Sequence, residues 1–229
     1  MDSDHLGSSH AGSTSSRAGW IRTLGAIGAI LLPLVVVYSL IVGDDSGDTG
    51  SELIAYAKEN SADIWLTQIV ALFTPLLIGF FVASLWTRLR LADEMYRALT
   101  LIGGTLFIAF FSTGLTLWSA PLLSADELTP AGADAYLGYD DAGWVLLGLS
   151  GISIGTMIIG VSLAALDHGW VPKWAGLLSL ALGVVSLATF VAVGFFAWAI
   201  WLIATGCFLL FGRTQEGSAP VPPQATADR

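Results

Sequence analysis

The side chains able to do acid–base, nucleophilic or metal chemistry are few and scattered. Asp167 and His168 are adjacent, and a carboxylate beside an imidazole is the pairing from which a general acid–base catalyst is built. Such a pair needs a nucleophile or a metal to work with. No HExxH, GxSxG or phosphate-loop spacing accompanies it. His5 and His10 lie in a Ser- and Gly-rich N-terminal stretch. The run Asp44-Asp45-Ser46-Gly47-Asp48 opens like a calcium loop, yet it lacks the glycine at the sixth position and the bidentate glutamate at the twelfth. Cys207 sits in an apolar run, where a thiol behaves as a small apolar side chain. As the single cysteine of the chain it has no intrachain disulfide partner. No residue is therefore assigned to catalysis, to a cofactor or to a metal, and a non-enzymatic protein is expected.

Two stretches concentrate charge. Residues 43–63 and 119–142 hold eleven acidic side chains (Asp44, Asp45, Asp48, Glu52, Glu59, Asp63, Asp126, Glu127, Asp134, Asp140 and Asp141) against one lysine, Lys58. Cation capture or a basic partner would use such a surface. Acidic residues also collect on the membrane face that Lys and Arg avoid, and this second reading needs no ligand.

The composition explains why charge is confined to loops. Of 229 residues, 55% are hydrophobic and 12% charged, about half the charged share of an ordinary soluble domain, and the mean hydropathy is +0.74. A soluble fold is excluded. The formal charge of −9 also argues against nucleic acid as a partner, since phosphates demand a basic face. The partner that the composition does demand is a lipid bilayer.

About 20 apolar residues in a helix cross a hydrocarbon core of about 30 Å. Six segments meet that length: 21–42, 64–86, 98–118, 143–166, 174–193 and 195–212. The last two are divided by a turn expected at Gly194. Alternating crossings put Arg17, Arg22, Arg88, Arg90, Arg97, Lys173, Arg213 and Arg229 on one side and Lys58 alone on the other. The basic side is cytoplasmic by the positive-inside rule, so both termini are expected inside. Aromatic anchors fit the same boundaries, with Trp20, Trp86, Tyr96, Trp170 and Trp174 at the inner edge and Tyr38, Trp65, Trp118, Trp144 and Trp198 at the outer one.

The ends of the chain, 1–19 and 213–229, read as disordered cytoplasmic tails flanking a transmembrane domain over 20–212. In the first outer loop, Thr49 and Glu52 have capping-box spacing, which predicts a short helix over 49–60. In the second, Thr129 followed by Pro130 predicts another helix start. Gly169 is placed to cap the C-terminus of the fourth span, where a cation such as protonated His168 suits the helix dipole.

Inside the bundle, small residues mark the faces through which helices approach. They are Gly25, Gly28 and Ala29 in span one, and Ala71, Pro75, Gly79 and Ala83 in span two. Span three has Thr105, Ala109, Ser112, Thr113 and Thr116. Span four has Gly148, Gly151, Gly155 and Ser162, and span five has Gly176, Ser179, Gly183 and Ser186. These stripes are expected to face one another, with a homo-oligomer contact through span four as the alternative use. Pro33 and Pro75 fall within spans one and two and could open backbone to a solute. The span centres carry no ionisable residue, which disfavours a proton-coupled carrier and leaves a carrier or pore for neutral or hydrophobic solutes as the second reading.

With the spans placed, the chain resembles uncharacterised six-span bacterial integral membrane proteins of the domain-of-unknown-function type. The features that carry the resemblance are the acidic outer loop with its short helix and the basic run Trp86-Thr87-Arg88-Leu89-Arg90. The run Asp140-Asp141-Ala142-Gly143-Trp144 and the hairpin Gly169-Trp170-Val171-Pro172-Lys173-Trp174 add to it. The resemblance covers about residues 20–212 and implies an all-α bundle, multi-pass in the cytoplasmic membrane of a bacterium. It carries over no site residue. The expectation is a non-enzymatic membrane protein that packs with lipid, with a protein partner or with another copy of itself.

Overall fold

A backbone surrounded by hydrocarbon must satisfy its N–H and C=O groups within its own segment, which a helix does. In the computed structural model, residues 11–42, 49–124, 127–188 and 192–211 are described, and every regular element among them is helical. The elements are α1 (Ala11–Val42), α2 (Gly50–Glu59), α3 (Ser61–Arg88), α4 (Glu94–Ser119), α5 (Pro130–Asp134), α6 (Leu137–Asp167), α7 (Lys173–Ser186) and α8 (Ala192–Phe211). Short 3-10 turns follow α3 at Leu89–Leu91 and α4 at Pro121–Ser124.

Five helical stretches are long and apolar enough to cross a membrane: Gly19–Val37, Ser61–Leu91, Glu94–Ser124, Pro130–Asp167 and Val193–Phe211. The expected fifth span differs. Helix α7 has 14 residues, about 21 Å at the rise of an α-helix. The expected turn at Gly194 is corrected as well. The chain turns earlier, where Leu187 N–H donates to Val184 O and Ala188 N–H to Val185 O, and Gly194 is buried inside α8. Glycine serves on buried helix faces as readily as it serves in turns.

Two further expectations change. Residues 11–19, read as tail, belong to α1, and 1–10 and 212–229 lie outside the described residues. Trp198, read as an outer-boundary anchor, is 1% exposed, because α8 begins at Ala192 and carries it two turns into the bundle.

Neighbouring helices pack in the order α1–α3–α4–α6–α7–α8, and α8 returns to α1, so six helices close a ring. Its centre is filled. Trp198 of α8 lies in edge contact with Phe107 and Phe111 of α4, at 5.7 and 6.1 Å between ring centroids. Phe81 of α3 meets Trp201 of α8 at 6.0 Å. Ile154, Met157 and Ile158 of α6 complete this core. Edge-to-face stacking makes such aromatics a specific filling rather than a loose one.

The tightest seam joins α4 and α6. A Cβ on Gly103 would stand 2.5 Å from Met157 N and 2.6 Å from Ser153 O, so the backbones approach where no side chain fits. The stripes of spans one, four and five do face their neighbours. Gly25 and Gly28 abut Phe81 and Leu77 of α3, Gly155 abuts Gly183 O, and Gly176 abuts Leu166. Those of spans two and three mostly do not. Ala71 is buried, but Pro75 and Ala83 are exposed, as are Thr105, Ala109 and Thr113. The inward faces there carry Thr67, Thr74, Ile78, Phe81, Phe107 and Phe111 instead. Small residues tolerate lipid as well as protein, and the hydroxyls are absorbed by their own helices, as when Thr74 donates to Val70 O at 2.7 Å.

Candidate functional site

Two ends of the ring carry the polar and charged residues. At one end α2, α5 and the 3-10 turn after α4 form a small cap over Leu53, Tyr56, Ala57, Ile64, Leu122 and Ala133. Its helices start as their sequences require. The Thr49 hydroxyl accepts from Glu52 N–H at 3.3 Å, while the Glu52 carboxylate accepts from Thr49 N–H at 3.1 Å, a complete capping box. Thr129 Oγ1 accepts from Gly132 N–H at 3.2 Å, with Pro130 at the first helical position. Gly50 N–H donates to the Asp134 carboxylate across 84 residues of sequence, which locks the first loop to the second.

Beneath the cap, a cleft of about 390 Å³ opens between α2, α3 and the 3-10 turn, lined by Ala57, Lys58, Ser61, Ile64, Trp65, Leu122 and Leu123. Lys58, the lone basic residue of the two acidic stretches, lies on this cleft. Among the described residues no three His, Cys, Asp or Glu side chains converge in a way that could hold a metal. The calcium-like run Asp44, Asp45 and Asp48 lies outside the described residues.

The other end gathers the basic residues. Ser84 Oγ reaches Ile21 O at 3.3 Å, joining the third turn of α1 to the last turns of α3. The Arg88 guanidinium lies 5.4 Å above the Phe208 ring and that of Arg97 lies 4.3 Å above Trp86, both within cation–π range. Asp167 and His168 sit here. His168 Nδ1 is 3.8 Å from the Asp167 carboxylate, 3.1 Å from Ala164 O and, through Nε2, 3.1 Å from Leu91 O. The ring nitrogens are thus directed at backbone carbonyls. His5 and His10 lie outside the described residues. Cys207, half-buried in α8, is a free thiol.

Sequence reasoning missed the polar contacts inside the bundle. Ser119 Oγ donates to Gln68 Oε1 at 2.7 Å, tying α4 to α3 near the cap. Trp201 Nε1 donates to Ser179 Oγ at 2.6 Å, and Ser179 pairs in turn with Ser162. Trp198 Nε1, by contrast, is buried without a partner. Ser162 and Ser179 stood in the small-residue stripes, and their hydroxyls were the signal that those stripes also carry hydrogen bonds.

Comparison with protein-family models, with curated proteins and with solved structures gives no match. The long apolar helices make this a helical membrane protein.

Proposed function

We propose that this is a non-enzymatic multi-pass membrane protein that acts through its surfaces, packing with lipid and with a protein partner or a second copy in an accessory role. The observation that carries the reading is the filled ring centre. Trp198, Phe107, Phe111 and Phe81, each at most 1% exposed, occupy the place where a conduit would run. This favours surface packing over the alternative of a carrier or pore for neutral or hydrophobic solutes.

The faces available to a partner are those whose small residues turn outward. On α3, Pro75 and Ala83 are exposed and Gly79 has open space beside it, while on α4 Thr105, Ala109 and Thr113 are exposed. The glycines of span four, the other choice for an oligomer contact, are covered by α4 and α7 of the same chain.

The proposed topology has six crossings, with α7 and the turn after it as the short one, and both termini in the cytoplasm. Arg22, Arg88, Arg90, Arg97 and Lys173 gather at one end of the ring and Lys58 at the other, which supports that orientation. The resemblance to six-span bacterial proteins supports a cytoplasmic-membrane location.

Native mass spectrometry of the full chain released from lipid nanodiscs tests the function. Retention of a defined lipid, a protein or a second copy is expected, with loss of any second copy in the double variant Gly79→Ile, Ala83→Ile. A bare monomer that conducts solute into liposomes would overturn the reading.

A further inference from the structure

The hairpin that joins α3 to α4 folds one cation back onto an aromatic ring. Arg97, in the first turn of α4, holds its guanidinium 4.3 Å above the ring of Trp86, in the last turn of α3. Stacking of this kind fixes the plane of a guanidinium and spends none of its five N–H donors. Nε is enclosed and has no acceptor, so the edge formed by the two Nη groups is the one a ligand can reach. Among the described residues no carboxylate pairs with Arg97. The two carboxylates nearest in sequence are placed otherwise. Asp93 accepts from Met95 N–H at 2.8 Å as the N-cap of α4, and Glu94 is exposed at the start of that helix.

A planar edge with donors on both nitrogens matches two oxygens of a phosphate and holds them by parallel, charge-assisted hydrogen bonds. The neighbourhood selects the kind of phosphate. Arg90 is exposed on the 3-10 turn between the two helices, a second positive charge that attracts an anionic headgroup and repels an ammonium. Arg88 is turned aside over Phe208 of α8. Leu91 and Met95 stand exposed on the same hairpin. Apolar side chains interleaved with arginines at a helix end, beside a half-buried tryptophan, suit the level at which acyl chains meet headgroups. A phosphate free in water gains nothing from them.

We propose that Arg97, stacked on Trp86, is the seat for the phosphate of an acidic phospholipid, with Arg90 as the second cation and Leu91 and Met95 on the acyl side. This rests on the reading that the chain packs with lipid, and it names the lipid class and the place. The Nη edge of Arg97 holds two phosphate oxygens, and Trp86 keeps that edge from swinging away. Arg90 favours a lipid with net negative charge over a zwitterion. Trp86 and Arg97 belong to different helices, so the seat exists only while α3 and α4 are packed, and a lipid bound there stabilises the hairpin.

Native mass spectrometry of the full chain, released from phosphatidylcholine nanodiscs that hold phosphatidylglycerol as the minor lipid, tests this. The wild type is expected to retain phosphatidylglycerol beyond its share of the bilayer. Arg97→Gln is expected to lower that retention about tenfold, the scale of one charge-assisted hydrogen bond. Arg97→Lys keeps the charge without the planar edge and should recover little of it. Lys173→Gln removes one charge from the same end of the ring and should retain the lipid as the wild type does. Equal losses in Arg97→Gln and Lys173→Gln would overturn the proposal in favour of a diffuse attraction, and full retention in Arg97→Lys would overturn it as well. If the variants misfold, the wild type alone decides. Retention of the two lipids in proportion to their supply would overturn the seat, and displacement of the lipid by inorganic phosphate would make it a site for the free ion. Phosphatidylglycerol held equally by the wild type and Arg97→Gln would overturn this site and leave lipid packing standing, whereas no lipid retained by any form would remove the lipid reading too.

Discussion

Trp201 Nε1 donates to Ser179 Oγ at 2.6 Å, and this bond fixes the direction of a chain of three. Ser162 spends its own hydroxyl hydrogen on Ile158 O at 2.7 Å. In the contact between the two serines, Ser179 must then be the donor and Ser162 the acceptor. Hydrogen bonds thus run from α8 through α7 into the backbone of α6. Helix α7 is too short to hold its place by a full-length apolar face, and the chain pins it between its neighbours at one level.

Ser179→Ala breaks that chain at its middle and leaves a buried indole N–H without an acceptor. An interhelical hydrogen bond in a membrane protein is worth about 0.6 kcal/mol on average and up to about 1.7, and the orphaned donor adds to the loss. A destabilisation of about 1–2 kcal/mol is expected, read from reversible unfolding in mixed micelles. Ser179→Thr, which keeps the hydroxyl, should recover part of it. Equal losses in both variants would mean that shape, and not the bond, matters at this position.

The two tryptophans of α8 should respond differently to the same replacement. Trp201→Phe removes a paired donor, whereas Trp198→Phe removes a donor that is already unpartnered in the core. Both lose ring volume to a cavity. The difference in polar bookkeeping makes Trp198→Phe the milder change by about 1–3 kcal/mol. Parallel unfolding curves would decide it, and a more damaging Trp198→Phe would show that its indole N–H has a partner after all.

Much of this fold was legible where local chemistry allows one answer. Thr49 with Glu52, Thr129 with Pro130, and Gly169 after His168 each name a helix end, and each forms the cap its spacing implies. The faces of spans four and five were readable because their glycines leave no other way to pack. Phe81, Phe107 and Phe111 could not be told from lipid-facing phenylalanines by sequence, since a hydrocarbon tail is as apolar as a core. For the same reason Thr105 and Ala109 looked like interface and face outward. The break after α7 was misplaced because no Pro or Gly marks residues 187–191, and the nearby Gly194 drew the turn to itself. The contacts of His168 with Leu91 join distant segments, which no local pattern announces.

The α4–α6 seam makes a contrast between two glycines. A methyl at Gly103 would press on the backbone of Met157 and Ser153, which has no soft way to yield. Gly103→Ala is expected to cost about 1–3 kcal/mol as overpacking. Gly138, in the first turn of α6, has nothing within 4 Å of the same methyl, and there Ala should be neutral or stabilise by up to about 1 kcal/mol through helix propensity. Melting temperatures of the two variants in one detergent test the pair. A neutral Gly103→Ala would mean that the two helices can move apart without loss.

The cap formed by α2 and α5 depends on two polar contacts that can be removed one at a time. Thr49→Ala abolishes the capping box and should weaken α2 by about 1 kcal/mol, visible as faster amide exchange over Gly50–Glu59. Asp134→Ala leaves that box intact but frees Gly50 N–H from the second loop. A hydrogen bond to a charged acceptor is worth about 1.5–3 kcal/mol, so this variant should loosen α2 and α5 together while the exchange of α4 and α6 stays as in the wild type. The cleft lined by Lys58 and Trp65 takes one wall from the other end of α2, at Ala57 and Lys58, and fluorescence quenching of Trp65 in a background with the other exposed tryptophans replaced should rise in parallel. If α2 loosens without α5, or the cleft stays as protected as before, the Gly50–Asp134 bond is not what holds the two loops together.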